Sequence, residues 1–321
     1  MQALAYDPGY GNIKLFGTQG GLVMQSAVSV GDAQRIGRMT GLRRTKPPLR
    51  VETNAGVFHV GANAHDWGRP VESLDFERLM GSPELMALWY GALARYGVPA
   101  VPVDLMVGLP IHVLIGDETR ATQQAVRRSL QGTHVWRTDG QEHRVAVATV
   151  RLTSQPVGAM FDYLLDDDGG MPNARQAAFK GELGILGIGM NTMELLVVRN
   201  GAPVQRLTAG ESLGVRRLLE LTGTVDRYSM AQLDAMLRSG AIRVDEARAV
   251  WQSEVLGYVE RQWGALYRRF VAIIAVGGGS LLLRDILMRR FREKLHLPED
   301  PVLATARGLY RYMLSRAKRA R

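Results

Sequence analysis

Apolar positions in the first sixty residues fall in short runs punctuated by glycine, a period-two pattern that predicts strands before helices. Residues 2–6 read as a buried strand, Asp7-Pro8-Gly9-Tyr10-Gly11 as a tight turn, and residues 12–16 as the strand that returns. Residues 22–30 continue as a strand, and 49–53 with 57–60 alternate around Asn54-Ala55-Gly56 as a second hairpin. Pro83 opens a helix to Tyr96, with Leu85, Leu88, Trp89 and Leu93 at core spacing. A strand is expected over 103–107, a helix over 117–130 and a strand over 144–152, after which Thr153-Ser154-Gln155-Pro156-Val157-Gly158-Ala159 leads into a helix through Leu165.

The second half restarts in the same way. Residues 181–188 form a buried strand, Gly189-Met190-Asn191-Thr192 a turn and 193–199 a return strand, followed by an extended run over 202–207. Asn12 and Asn191 hold comparable places, so the repeat predicts two related lobes whose turns face one cleft. Helices are expected over 211–222, 230–237 and 244–270, the last with Trp251, Val255, Tyr258, Val259, Leu266 and Phe270 along one face. A buried strand over 271–276 leads through Gly277-Gly278-Gly279-Ser280 into a helix to residue 294, and a last helix spans 307–317. Between the halves, Asp166-Asp167-Asp168-Gly169-Gly170 lacks the glutamate a calcium loop needs and reads as a flexible, solvated linker and domain boundary.

Composition narrows the classes. With 321 residues, 46% of them hydrophobic, the chain has material for two ordinary domains or one bilobed one. It has no cysteine, which removes disulfides, thiolate catalysis and cysteine-ligated zinc, and its six histidines show no ligand spacing. A net charge of +9 suits an acidic partner such as nucleic acid or membrane lipid. Much of that charge gathers at Arg35, Arg38, Arg43, Arg44, Lys46 and Arg50 and at Arg311, Arg316, Lys318, Arg319 and Arg321, which read first as a solvated flap and a tail. No basic-then-apolar leader precedes Asp7, and the most apolar run, 270–283, is broken by glycines. The expected location is cytoplasmic, with no membrane segment.

The opening hairpin has the chemistry to hold a phosphate. Gly9 and Gly11 lack Cβ atoms, so their backbone N–H groups can approach oxygen closely. Lys14 can turn its ammonium to the same oxygens, and Asp7 can hold metal-bound water. Glycine turns between strands are most often plain hairpins, and a glycine-rich strand-to-helix junction such as 277–279 is as often a tight turn as a ligand platform. What raises both readings is their order along the chain.

Taken together, these segments resemble the actin-like ATPase superfamily, most closely its ParM-like plasmid-segregation branch. Tyr6-Asp7-Pro8-Gly9-Tyr10-Gly11-Asn12-Ile13-Lys14 resembles the first phosphate motif and Leu186-Gly187-Ile188-Gly189-Met190-Asn191-Thr192-Met193-Glu194 the second. Val276-Gly277-Gly278-Gly279 resembles the adenosine motif, and residues 300–310 the closing segment. The resemblance implies an α/β, two-lobed, ribonuclease H-like fold: domain I over 1–165, domain II over 166–299, and a segment over 300–321 returning to domain I. It implies ATP, with GTP as the alternative purine, and Mg2+ in the cleft between the lobes. Gly9, Tyr10, Gly11, Asn12 and Lys14 would hold phosphates from one side and Gly189, Met190, Asn191 and Thr192 from the other. Gly277, Gly278 and Gly279 would line the base pocket, with Glu211 and Arg216 on the preceding helix as ribose or base contacts. Asp7 would hold magnesium through water, and Gln155 would orient the attacking water.

Two departures stand out. The second motif carries Gly187 where the family has aspartate, so hydrolysis is expected to be slow unless Glu194 or another carboxylate compensates, and Gln155 stands where ParM-like chains carry glutamate. The implied function is a nucleotide-driven filament that moves plasmid or other DNA through an adaptor protein, with another cytoskeletal actin-like filament or a weakly hydrolysing nucleotide-binding scaffold as the alternative. A rival of another class is a serine hydrolase, since Gly210-Glu211-Ser212-Leu213-Gly214 satisfies G-x-S-x-G, with His296 downstream and Asp234, Asp245 and Asp285 as acids.

Overall fold

Two sheets face each other across a pair of crossing helices in the computed structural model, which describes residues 1–31, 46–72, 81–114 and 119–319. The expected basic residues from 35 to 44, and Arg321, lie outside these. The first sheet uses β1 (Gln2–Pro8), β2 (Asn12–Gly17), β3 (Gly20–Gln25), β4 (Val28–Val30), β5 (Leu49–Thr53), β6 (Gly56–Val60) and β7 (Arg69–Pro70). After α1 (Pro83–Tyr96) come β8 (Val103–Leu109), α2 (Thr119–Leu130), β9 (Gly132–Thr138) and β10 (Gln141–Ser154). Among the described residues the strand order is β3-β2-β1-β8-β10-β9-β5-β6-β4-β7.

Then α3 (Gln155–Leu164) and α4 (Asn173–Lys180) lead to the second sheet: β11 (Glu182–Ile188), β12 (Met193–Arg199), β13 (Ala202–Pro203) and β14 (Ala209–Glu211). Next are α5 (Val215–Glu220), α6 (Met230–Ser239), α7 (Asp245–Trp263), β15 (Ala272–Val276), α8 (Gly278–Leu282), α9 (Arg284–Phe291), β16 (Leu295–His296) and α10 (Ala304–Arg319). Its order, β13-β12-β11-β15-β16, repeats β3-β2-β1-β8-β10: an antiparallel hairpin whose first strand pairs in parallel with a later one. The fold is the two-lobed α/β architecture expected.

Each strand alternates its side chains between two faces, which assigns the helices. Leu4, Tyr6, Leu105 and Val107 turn to α1, whose Leu88, Trp89 and Leu93 are fully buried. Ala5 and Met106, on the opposite face, meet Leu309 and Met313 of α10. In the second lobe one face packs on α5, α6, α7 and α9, and the other, with Ile185 and Ile274, on Ala159, Met160 and Leu164 of α3.

Thus α3 and α10 lie back to back between the sheets. They touch at glycines: a Cβ on Gly158 would sit 2.6 Å from the Thr305 carbonyl oxygen, and one on Gly308 would overlap the Gly158 carbonyl. Asp162, 7% exposed, clamps the crossing by accepting from Arg307 at 2.6 and 2.7 Å and from Arg311 at 2.9 Å.

Several boundaries differ from the pattern. The run over 22–30 is two strands, because Ser26 leaves the ladder to donate its N–H to Gly11 O and its hydroxyl to Gly9 O. The strand β9 and the helix α4 were not anticipated: β9 buries only Trp136 and Thr138, and α4 only Ala178, so neither carries a strong apolar period. Residues 202–207 are a two-residue strand and a 3-10 turn. The long helix stops at Trp263, and the helix after 277 breaks into two at Leu283. The acidic run 166–170 is a turn folded on α10, not an open linker: the Asp166 carboxylate accepts the Gly170 N–H at 2.6 Å, and Asp167 pairs with Arg311, which holds its carboxyl below the usual range. Arg311 is therefore an internal brace, while Arg316, Lys318 and Arg319 remain exposed.

Candidate functional site

Both hairpins close with turns of the same register. In the first lobe Pro8 faces Ile13 and Asp7 faces Lys14; in the second Ile188 faces Met193 and Gly187 faces Glu194. The two turns meet, for a Cβ on Gly11 would lie 3.0 Å from the Met190 Cβ. The second turn is also tied from behind, where Met190 O accepts from Arg216 N at 2.7 Å and Gly189 O from Val215 N at 3.0 Å. The third wall is Gly277, at φ +90°, whose N–H donates to Pro301 O at 2.7 Å; a side chain there would run into the Ile188 carbonyl. Between these walls is a cleft of about 360 Å³, within the usual size of small-molecule sites.

Asp7 is 2% exposed and carries two partners: Lys14 Nζ donates to Oδ2 at 3.0 Å and Gln155 Nε2 to Oδ1 at 2.7 Å. Gln155 reaches it from the first turn of α3, directly after Ser154 ends β10. Lys14 also crowds the turn, since a Cβ on Gly9 would come 2.8 Å from its ammonium. Glu194 is 3% exposed and accepts the Ile111 N–H at 2.5 Å. Burial, with Asp7 adding like charge, pushes its carboxyl up to about 8.

That shift has a sign. Between about pH 4.5 and 8 the unfolded chain has released the Glu194 proton while the native chain keeps it, so stability falls as pH rises, by at most about 1.4 kcal/mol per pH unit from this group. In metal-free buffer, Glu194→Gln is expected to flatten that slope in denaturation midpoints measured from pH 5 to 8, and an unchanged slope would contradict it.

The cleft gathers Asp7, Gly9, Tyr10, Gly11, Asn12, Lys14, Gln155, Gly189, Met190, Asn191, Thr192, Gly277 and Gly278. Gly279 is buried just behind, against Ile188. Glu211 and Arg216 do not line it. Glu211 belongs to β14, not to a helix, because Gly214 is wedged against the Met190 carbonyl and delays the helix to Val215. The Arg216 side chain pairs with Glu220 at 2.6 Å, so only its backbone serves the site. Asp234, Leu237 and Arg238 of α6 line the cleft instead, and the sequence pattern did not single them out as part of a site. Arg238 donates to Asp234 at 2.9 Å and, with the Asn12 amide turned to satisfy both its ends, to Asn12 Oδ1 at 3.1 Å. An aspartate and an arginine four apart on an amphipathic helix were the signal, but i,i+4 pairs are common on plain surfaces.

The hydrolase alternative is not assembled. Ser212 follows β14, which pairs with β12, whereas His296 lies on β16 at the other edge, with β11 and β15 between. His296 packs edge-on against Tyr163 instead.

A divalent cation fits the carboxylate chemistry present. Magnesium takes oxygen donors and keeps water, using one or two carboxylates beside phosphate oxygens. Asp7 and Glu194 offer such donors, and no set of three or more ligating side chains occurs among the described residues. No helix there is long and apolar enough to cross a membrane.

Comparison with known proteins agrees with this fold. Residues 5–158 match the family model for the actin like proteins N terminal domain. The fold is similar to the apo psk41 ParM protein (16% identity, TM-score 0.73, covering 99% of this chain and 98% of that one). It is also similar to an archaeal actin homolog in complex with ADP (19%, 0.74, 99% and 100%) and to a 15-stranded ParM filament from Clostridium botulinum (17%, 0.74, 97% and 98%). No curated protein matches the sequence.

Proposed function

We propose that this chain, an actin-like protein by its N-terminal domain and its fold, binds and hydrolyses a purine nucleoside triphosphate in the interlobe cleft and polymerises in response. The observation that carries the reading is the meeting of two same-register glycine turns, one from each lobe, over a buried aspartate. Backbone N–H groups of Gly9, Tyr10 and Gly11, with Lys14, hold phosphate oxygens from one side, and Gly189, Met190, Asn191 and Thr192 close from the other. Gly277, Gly278 and Gly279 give the base a flat wall, and Asp234, Leu237 and Arg238 bound the ribose and base side in place of Glu211 and Arg216. ATP is the expected nucleotide, with GTP the alternative.

Asp7 would hold hydrated Mg2+, which when bound spreads the charge developing on the phosphates. Gln155 orients water; lacking a basic group, it positions rather than deprotonates. Replacing it with alanine is expected to slow phosphate release by roughly tenfold to a hundredfold while leaving nucleotide affinity within about twofold. Equal turnover by Gln155→Ala and the unaltered protein would remove that role.

Similarity to a ParM filament supports self-association driven by cleft closure, and through it the segregation of plasmid or other DNA by way of an adaptor protein, in the cytoplasm. The decisive experiment is light scattering after addition of ATP or GTP with Mg2+, followed by electron microscopy. Filaments that appear with nucleotide and disperse on hydrolysis support the reading. A protein that takes up no purine triphosphate would overturn it.

A further inference from the structure

Three carboxylates line the cleft, and two already have cationic partners: Asp7 has Lys14, and Asp234 has Arg238. Glu194 is the exception. It is 3% exposed, and its recorded partner is the neutral N–H of Ile111, with no ion pair to a cation among the described residues. Ionising a carboxylate that is buried without a counter-charge is expensive, and a neighbouring aspartate makes it more so. A group in that condition at the wall of an open cleft suits a positively charged ligand.

The repeat says where the group stands. Gly187 holds the register position of Asp7, and Glu194 holds that of Lys14. Residues directly opposed on antiparallel strands project to one face with Cβ atoms about 5 Å apart. Glu194 therefore presents its carboxylate to the face of the cleft that a side chain at 187 would serve. We infer that Glu194 supplies the second lobe's carboxylate to the divalent cation that accompanies the nucleotide, so that the cation is held between Asp7 of one lobe and Glu194 of the other.

This rests on the nucleotide reading above. With two carboxylates from the protein, the remaining ligands would come from phosphate and water. Ile111, which follows β8, fixes the Glu194 carboxylate from the first lobe, so cation capture and lobe closure share one side chain.

The test uses the full chain with ADP and Mn2+, read by electron paramagnetic resonance, beside ADP affinity measured by calorimetry with Mg2+ and with chelator. Glu194→Gln keeps the acceptor for Ile111 and is expected to weaken Mn2+ binding by roughly tenfold to a hundredfold. Its ADP affinity in chelator should stay within about twofold of the unaltered protein. Restoring a carboxylate on the opposite strand, in the double variant Gly187→Asp with Glu194→Gln, should recover most of the Mn2+ affinity. Space allows it, since the nearest atom to a Cβ on Gly187 is the Glu194 Cβ at 3.8 Å. Mn2+ affinity unchanged in Glu194→Gln would overturn the assignment while leaving nucleotide binding intact. If Glu194→Gln does not fold, the single variant Gly187→Asp decides: tighter Mn2+ binding supports a cation at this wall, and no change counts against it. A protein that binds no ADP in any of these conditions would overturn both the assignment and the functional reading.

Discussion

Gly308→Ala is expected to lower the denaturation midpoint by more than any other single-methyl change in the molecule, with a loss of about 3 kcal/mol or more. The added Cβ would overlap the Gly158 carbonyl oxygen and stand 2.9 Å from the Asp162 Cβ, so α3 and α10 would have to separate. Backbone cannot rotate out of the way as a long side chain can, and separation would also stretch the Asp162 clamp to Arg307 and Arg311. Breaking a buried, hydrogen-bonded charge pair is itself worth about 3–5 kcal/mol when one partner is stranded. The effect would reach the cleft, because Gln155 lies three residues before Gly158 on the same helix. Urea denaturation checks the expectation, with Gly257→Ala as the control. Gly257 sits inside α7, where the nearest atom to its Cβ position is 3.6 Å away, so alanine there should be neutral or stabilising by up to about 1 kcal/mol. Equal midpoints for the two variants would mean that the crossing tolerates a wider spacing.

Asp7→Ala is expected to reduce metal-dependent nucleotide turnover by roughly a hundredfold or more. The substitution removes the carboxylate proposed to hold the cation and frees both groups it holds, Lys14 at 3.0 Å and Gln155 at 2.7 Å. Lys14 would then lack its counter-charge beside the first glycine turn, and Gln155 would lose the anchor that holds it. Asp7→Asn separates the two contributions, because it keeps the shape and an acceptor for Gln155 while removing the charge. Phosphate release measured beside ADP binding is the check: a large loss in both variants points to the charge, and a loss in Asp7→Ala alone points to anchoring. Turnover preserved in Asp7→Ala would exclude the carboxylate from the reaction.

An element of this fold is legible in the sequence to the extent that the forces fixing it are local. The helix over 83–96 was legible to the residue because its signals are local: Ser82 accepts the Leu85 N–H, Pro83 opens the first turn, and Gly97 takes φ +100°. Both glycine turns were legible because a tight reversal demands particular residues at particular positions. Strand β9 was not, since its pairing to β10 and β5 comes from partners far along the chain and its own apolar pattern is faint. The placement of Glu211 failed for a related reason: where α5 begins depends on the close approach of Gly214 to the second turn.

What the sequence by itself determined, then, was the repeated plan: two glycine-turned hairpins and the buried strands beside them, written in patterns a few residues long. Tertiary structure alone decided that Asp234 and Arg238 bound the cleft, that Glu194 meets the Ile111 N–H, and that Asp162 locks α3 to α10 through Arg307, 145 residues away. The reason is physical: an i,i+4 spacing or a strand register can be read from neighbouring residues, whereas the partner of a buried charge is chosen by which surfaces the closed core brings within 3 Å.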